Sequence, residues 1–355
     1  MGTRPRLACE VRAEGVVAAR AEDALAVLDA VARVPLGDGV VFPQTHADDA
    51  NVAGTAARNG SVVGHGKLVA AVRTALEQVS QRGREVTLVV PDAAVRVLLL
   101  DFDELPTKPV EALPVVRFRL KKLLPFDADD AAVSYQVMAT TRDGMQVLAV
   151  AMPAEVLADY EAVVREAGFE PGAVMPSTLA ALAGLSEGER PMLVVNAGRD
   201  GVTTAIVKGG VLLLHRSVDL GGELQAAANA EPAKEQGAET SIAAIAARMA
   251  AAQTPVAGSS AATGAEARAS EVAQAVSVAA AYFEDTLESA PAVVLSAGTL
   301  GADVLTRVLD QAEVGPVAVE EMVDRQMLGA GAGSAGSPGG VPLGWLAGVR
   351  GALAN

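Results

Sequence analysis

With 355 residues the chain exceeds what one hydrophobic core holds comfortably, so two or more packed units are expected. Its formal charge of −15 excludes nucleic acid as a principal partner, because phosphate binding needs a basic footprint that releases counterions. Cys9 is the single cysteine, which rules out an intrachain disulfide and fits a reducing compartment. The opening MGTRPRLACEVRAEG carries no long apolar run, and VTLVVPDAAVRVLLLDF is broken by Pro91, Asp92 and Arg96. A cytoplasmic protein without signal peptide or membrane span is therefore expected.

Taken in chain order, LACEVR reads as a strand, 13–15 as a turn and 16–20 as a second strand. Leu25, Leu28 and Val31 have helical spacing, which predicts a helix over 22–34. A loop rich in Gly, Asp and Asn follows over 37–66, then a helix near 67–81. Strands are predicted at 86–90, ending on Pro91-Asp92, and at 95–102. A helix over 115–124 stops at Pro125-Phe126. The segments 132–140 and 145–151 form a hairpin around Arg142-Asp143-Gly144. A helix at 153–167, closed by Gly168, precedes a strand at 173–175 and a helix at 177–185. LVVNAGRDGVTTAIVKGGVLLLHRSV is a three-strand meander. Beyond it come an Ala-rich helical region at 223–252, a flexible tract at 253–269 and a helix at 271–287. The chain closes with a strand at 293–296, a helix at 300–311, a second flexible tract at 329–340 and a helix near 343–353.

Leu7–Ala19 and Leu193–Ala205 repeat at an offset of 186 residues: Leu7, Gly15, Val16 and Ala19 match Leu193, Gly201, Val202 and Ala205. Glu10 faces Asn196 and Glu14 faces Asp200. Each hairpin opens one half of the chain, after which strands and helices alternate. Two such α/β halves make a two-lobed body with a cleft between them. This resembles the actin-like (ribonuclease H-like) ATPase fold, in which each opening hairpin carries a phosphate loop. The resemblance implies a third nucleotide-holding element at VVLSAGTLG, a strand, a glycine turn and a helix N-terminus.

A narrower resemblance lies in the middle of the chain. LVVPDAAVRVLLLDFDELP, VVRFRLKKLLPFDADDAAVSYQV and MQVLAVAMPAEVLADYEAVVREAGFEPGAV, in this order, are similar to the PilM family of type IV pilus assembly proteins. His215-Arg216-Ser217, running into Leu220-Gly221-Gly222, fits as well. The resemblance implies a first lobe over 1–85 and 152–190, a small α+β subdomain inserted over 86–151, and a second lobe over 191–355. It implies a place beneath the inner membrane, peripheral to it. It also implies partners: the cytoplasmic tail of a PilN-like bitopic protein, with other platform and motor proteins.

The cofactors implied are ATP and Mg²⁺, and the residues that would meet them are Glu10, Arg12, Asn196, Gly198, Asp200 and Gly298. The chain departs from an ATP-binding pattern at all three loops. Glu10-Val11-Arg12 replaces an Asp-x-Gly, Asn196 replaces an aspartate and adds no charge to hold Mg²⁺, and Ala297-Gly298 replaces a Gly pair. The expectation is a degenerate cleft with no catalytic residue and no hydrolysis, nucleotide binding being left open. GAGSAG at 331–336 and GSVVGHGKL at 60–68 lack the context or spacing of phosphate loops, and the three histidines have no metal-ligand spacing.

Arg117, Arg119, Lys121 and Lys122 form a basic cluster interleaved with Phe118, Leu120, Leu123, Leu124 and Phe126. A core-facing helix with a solvated basic side accounts for such a pattern. A groove wall is the functional reading, with apolar anchors received and cations adding steering. The resemblance assigns Phe118, Arg119, Lys122, Leu123 and Phe126 to the partner's tail. The function the resemblance implies is a cytoplasmic scaffold of a type IV pilus inner-membrane assembly platform. Two alternatives stay open: an active actin-like ATPase using Glu10, and the cytoplasmic component of a type II secretion platform.

Overall fold

The computed structural model describes residues 5–22, 27–37, 56–142, 144–185, 188, 190–220, 260–312, 317–329, 332 and 341–354. The helix expected over 223–252 lies outside them, as do most of the tract at 329–340 and part of that at 253–269.

Two five-stranded sheets carry the architecture. The first comprises β1 (Leu7–Arg12), β2 (Gly15–Ala21), β3 (Leu28–Pro35), β4 (Glu85–Val90) and β8 (Glu170–Pro176), in the order β3-β2-β1-β4-β8. The second comprises β9 (Met192–Ala197), β10 (Gly201–Lys208), β11 (Val211–Asp219), β12 (Val293–Ser296) and β13 (Ala318–Glu321), in the order β11-β10-β9-β12-β13. The sheets share one topology: an antiparallel meander, then two parallel strands. The 186-residue repeat holds in register. Leu7 pairs with Arg20 and Val86, and Leu193 pairs with Ile206 and Val294.

A third sheet, β5 (Arg96–Phe102), β7 (Met145–Pro153) and β6 (Ala131–Thr140), forms the inserted subdomain with α2 (Pro109–Leu120). The boundary expected at Val86 is corrected here: 86–90 lie inside β4, between β1 and β8, and the small sheet begins at Arg96. α1 (Ala56–Val79) and α3 (Ala154–Glu166) cover one face of the first sheet, and α5 (Ser260–Leu287) and α6 (Ala302–Gln311) one face of the second. α4 (Ser177–Ala183) and α7 (Ala347–Ala354) pack on each other, and α7 also lies on β1, β2 and β4. The chain's last helix thus belongs with the first lobe rather than the second. Arg350 Nη1 donating to Gly184 O at 2.9 Å and the Arg33 guanidinium 3.9 Å from the Trp345 ring centre fasten it there.

Several local expectations change. Residues 28–35 form a strand and not a helix, because the β2 edge offers a full antiparallel ladder from Gly15↔Pro35 to Ala21↔Leu28. Residues 56–66 are helical, so GSVVGHGKL lies within α1 and forms no phosphate loop. Residues 260–269 are also helical, part of α5. α2 begins at Pro109, whose missing N–H is harmless in a first turn.

Strand alternation decides what faces the cleft. On β1, Leu7, Cys9 and Val11 enter the core under α1 and α3, which leaves Ala8, Glu10 and Arg12 on the opposite face. On β9, Leu193, Val195 and Ala197 enter the second lobe's core, and Val194 and Asn196 face the other way. A separate apolar cluster fills the space between the lobes, joining Ala8, Val17 and Val89 to Val194, Ala205, Trp345, Leu346 and Val349.

Candidate functional site

The strand ends bring Glu10, Arg12 and Asn196 together at the top of this interlobe core. All three are buried, Glu10 completely. Arg12 Nη2 lies 2.7 Å from Glu10 Oε1, and Ser177 Oγ donates to the same oxygen at 2.6 Å. The guanidinium then crosses to the second lobe, Nη1 donating to Asn196 Oδ1 at 3.1 Å and Nη2 reaching Ala297 O at 3.4 Å. Asn196 replies through Nδ2, which donates to Ser177 Oγ at 2.9 Å and Thr178 Oγ1 at 3.0 Å. Asp92, just after β4, holds the start of α4 by accepting from the Thr178 backbone N–H at 3.0 Å and from the Thr178 hydroxyl.

Burial pushes the Glu10 carboxyl above its ordinary value, with the Arg12 charge opposing the rise. Glu10 Oε2 is buried without a hydrogen-bond partner and is pressed against α7, where a Cβ on Gly348 would stand 2.4 Å from it. That position accepts glycine because the carboxylate already fills the space.

The two hairpin turns meet above this layer. Glu14 Oε1, from the β1–β2 turn, accepts from the Arg199 backbone N–H at 2.6 Å and from the Thr299 hydroxyl at 2.6 Å. Arg199 returns a bond from Nη2 to Ala13 O at 3.1 Å. Within the β9–β10 turn the Gly198 N–H donates to Gly201 O at 3.0 Å. Asp200 sits at the exposed rim, 3.5 Å from Arg199 Nε, and partial burial raises its carboxyl. Gly298 is pressed on the Ala197 backbone, where a Cβ would lie 2.2 Å from Ala197 O. At the N-terminus of α6 the Ala302 N–H donates to Glu321 Oε1 at 2.8 Å. The open part of the cleft is lined by Arg12, Glu14, Asp92, Asn196, Arg199 and Asp219, among others.

Nucleotide with Mg²⁺ does not fit this set. Glu10 Oε1 is taken by Arg12 and Ser177, and its other oxygen points into α7. The donors that would meet phosphate already serve the chain's own oxygens: Gly198 serves Gly201, Arg199 and Thr299 serve Glu14, and Ala302 serves Glu321. Among the described residues, no group of three or more His, Cys, Asp or Glu side chains is placed to hold a metal ion.

Of the cleft residues expected from the sequence, Glu10, Arg12 and Asn196 come together in one buried interlobe layer as partners of one another, whereas Gly198, Asp200 and Gly298 lie in the turns above it. Sequence reasoning missed Asp92, Ser177, Thr178, Thr299 and Glu321, and noted Glu14 only as a match for Asp200. Only the paired hairpins pointed to Glu14.

The basic-apolar cluster lies apart, on the inserted subdomain. Ala112, Val116 and Leu120 form the buried face of α2. Phe118 is 68% exposed and Leu123 49%, with Arg119 and Lys122 in solvent beside them. Arg117 is occupied by Ala131 O at 2.9 Å, and Lys121 by Asp129. Phe126 is half-buried and packs in the subdomain core with Leu124.

No protein-family model and no curated protein sequence matches the chain. Solved structures do match. A chain of a PilM-PilN type IV pilus biogenesis complex superposes with a TM-score of 0.59 at 19% identity, over 89% of this chain and 91% of that one. The fold is PilM-like. A Bacteroides thetaiotaomicron protein with an actin-like ATPase fold gives a TM-score of 0.44 at 8% identity, covering 89% of each chain. The cytoplasmic domain of EpsL, an inner-membrane component of the Vibrio cholerae type II secretion system, gives 0.37 at 16%, over 63% of this chain and 75% of that one. The likeness to the PilM-PilN chain is one of fold, and among the described residues no helix is long and apolar enough to cross a membrane.

Proposed function

We propose that the protein is a scaffold of a type IV pilus inner-membrane platform, peripheral to the membrane on its cytoplasmic side, and that it hydrolyses no nucleotide. The observation that carries this reading is Arg12 spanning from Glu10 to Asn196, a buried guanidinium in the interlobe space where an ATPase would need a free carboxylate. The PilM-like fold supports the choice of machine, since the matched chain comes from a complex with PilN.

In this role the lobes serve as a rigid mount and the inserted subdomain as the contact surface. Phe118 and Leu123 offer exposed apolar anchors, which Arg119 and Lys122 surround with charge. Phe126 supports that surface from within the subdomain core. The occupant is the short cytoplasmic tail of a PilN-like bitopic protein.

A titration of such a tail peptide into the protein, followed by calorimetry, tests the assignment. Saturable binding that Phe118→Ala weakens by about tenfold or more is expected. No binding by any candidate tail, or binding indifferent to Phe118 and Leu123, would remove the basis for the partner.

A further inference from the structure

We infer that the cleft is self-liganded: the Glu14 carboxylate is a built-in anion, seated in the turn of the second lobe where an external phosphate would otherwise sit, and it clamps the lobes together. The inference does not depend on the pilus assignment and holds for whatever assembly the protein serves.

The geometry is that of an anion site with its anion in place. One oxygen of Glu14 takes two donors from the other lobe, a backbone N–H and a hydroxyl, both at 2.6 Å. Such short bonds to an ionised acceptor are the strong, charge-assisted kind. The donors belong to two different loops, β9–β10 and β12–α6, so one carboxylate organises both. Arg199 closes the clasp in the reverse direction through Ala13 O.

The same substitution of chain for ligand recurs independently. Glu321 accepts from the first N–H of the ten-residue helix α6, a position whose partial positive charge favours anions. Arg12 supplies the matching cation between Glu10 and Asn196. Being tethered, Glu14 meets its donors at a high effective concentration, which free phosphate at ordinary levels does not match. Closure of the lobes is then constitutive, where a nucleotide would make it conditional.

The test follows the Arg199 amide by hydrogen exchange in the full chain, with inorganic phosphate as the probe. In the unaltered protein this amide is expected to be protected, and phosphate should change neither its exchange nor the unfolding temperature. In Glu14→Ala its exchange should quicken by about tenfold or more, the loss of one charge-assisted bond, and phosphate should restore protection in a saturable way. Thr299→Val keeps the carboxylate and loses one donor. It should loosen the same turn to a smaller degree, and it serves if Glu14→Ala fails to fold. Three results would overturn the inference: an Arg199 amide that exchanges equally fast with and without Glu14 or Thr299, phosphate protection already present in the unaltered chain, or a folded Glu14→Ala protein that phosphate does not protect.

Discussion

Arg12 and Asn196 stand 184 residues apart in the chain and meet at 3.1 Å, guanidinium Nη1 on amide Oδ1. They sit on equivalent strands of the two lobes, β1 and β9, so the contact bridges the cleft between them. Because Arg12 also pairs with Glu10 Oε1, it links the stability of the first lobe to the closure of the second.

Removing Arg12 leaves a buried carboxylate with Ser177 as its remaining donor. Arg12→Ala should therefore cost about 3 kcal/mol or more, read as a lowered denaturant midpoint. The double change Glu10→Gln with Arg12→Met should recover a good part of that loss, since it removes both charges and retains volume. A double variant no better than Arg12→Ala would show that the pair is not the origin of the effect.

The position of Glu10 also sets a pH dependence. Burial holds its carboxyl above the ordinary glutamate value of 4.5, so the folded state keeps a proton that the unfolded chain releases. The stability difference between the unaltered protein and Glu10→Gln should be most favourable to Glu10 below that value. It should decline as pH rises from 4.5 through the raised folded value. Urea midpoints of both proteins across this range give the comparison, and a difference that grows with pH would reverse the sign.

Gly348 tests the contact between α7 and the cleft. A Cβ there would lie 2.4 Å from Glu10 Oε2, so Gly348→Ala should destabilise by about 1–3 kcal/mol. Because the clash is with that side chain, the cost should shrink in a Glu10→Ala background, a coupling that a double-mutant cycle measures. Equal costs in both backgrounds would place the origin elsewhere.

On the inserted subdomain, two phenylalanines should separate. Phe118 is 68% exposed, so Phe118→Ala should change stability by no more than about 0.5 kcal/mol while weakening tail binding. Phe126 packs within the subdomain core, so Phe126→Ala should lower stability by about 2 kcal/mol. Thermal unfolding of the two variants, beside their peptide affinities, distinguishes anchor from support.

The lobes were legible because their register repeats. Leu7 and Leu193 could be aligned from local pattern alone, and the ladders of β1–β2 and β9–β10 bear that alignment out. β3 was misread because Leu25, Leu28 and Val31 satisfy helical spacing, while the β2 edge that claims the segment is invisible to a short window. β13 escaped notice since four residues, Ala318–Glu321, give no periodicity to count. The cleft residues were found by their place in the hairpins, but not their pairing: Glu14 and Thr299 lie 285 residues apart, and nothing local announces that one fills the other's site. The end of the chain returned unexpectedly to the first lobe, where Gly348 and Trp345 are read only through their packing.

Calorimetric titration of ATP with Mg²⁺ into the unaltered full chain probes the filled cleft most directly. With Arg12 and Glu14 seated as found, no saturable heat and no phosphate release are expected. Micromolar, Mg²⁺-dependent binding, with turnover abolished by Glu10→Ala, would contradict a cleft liganded by its own side chains.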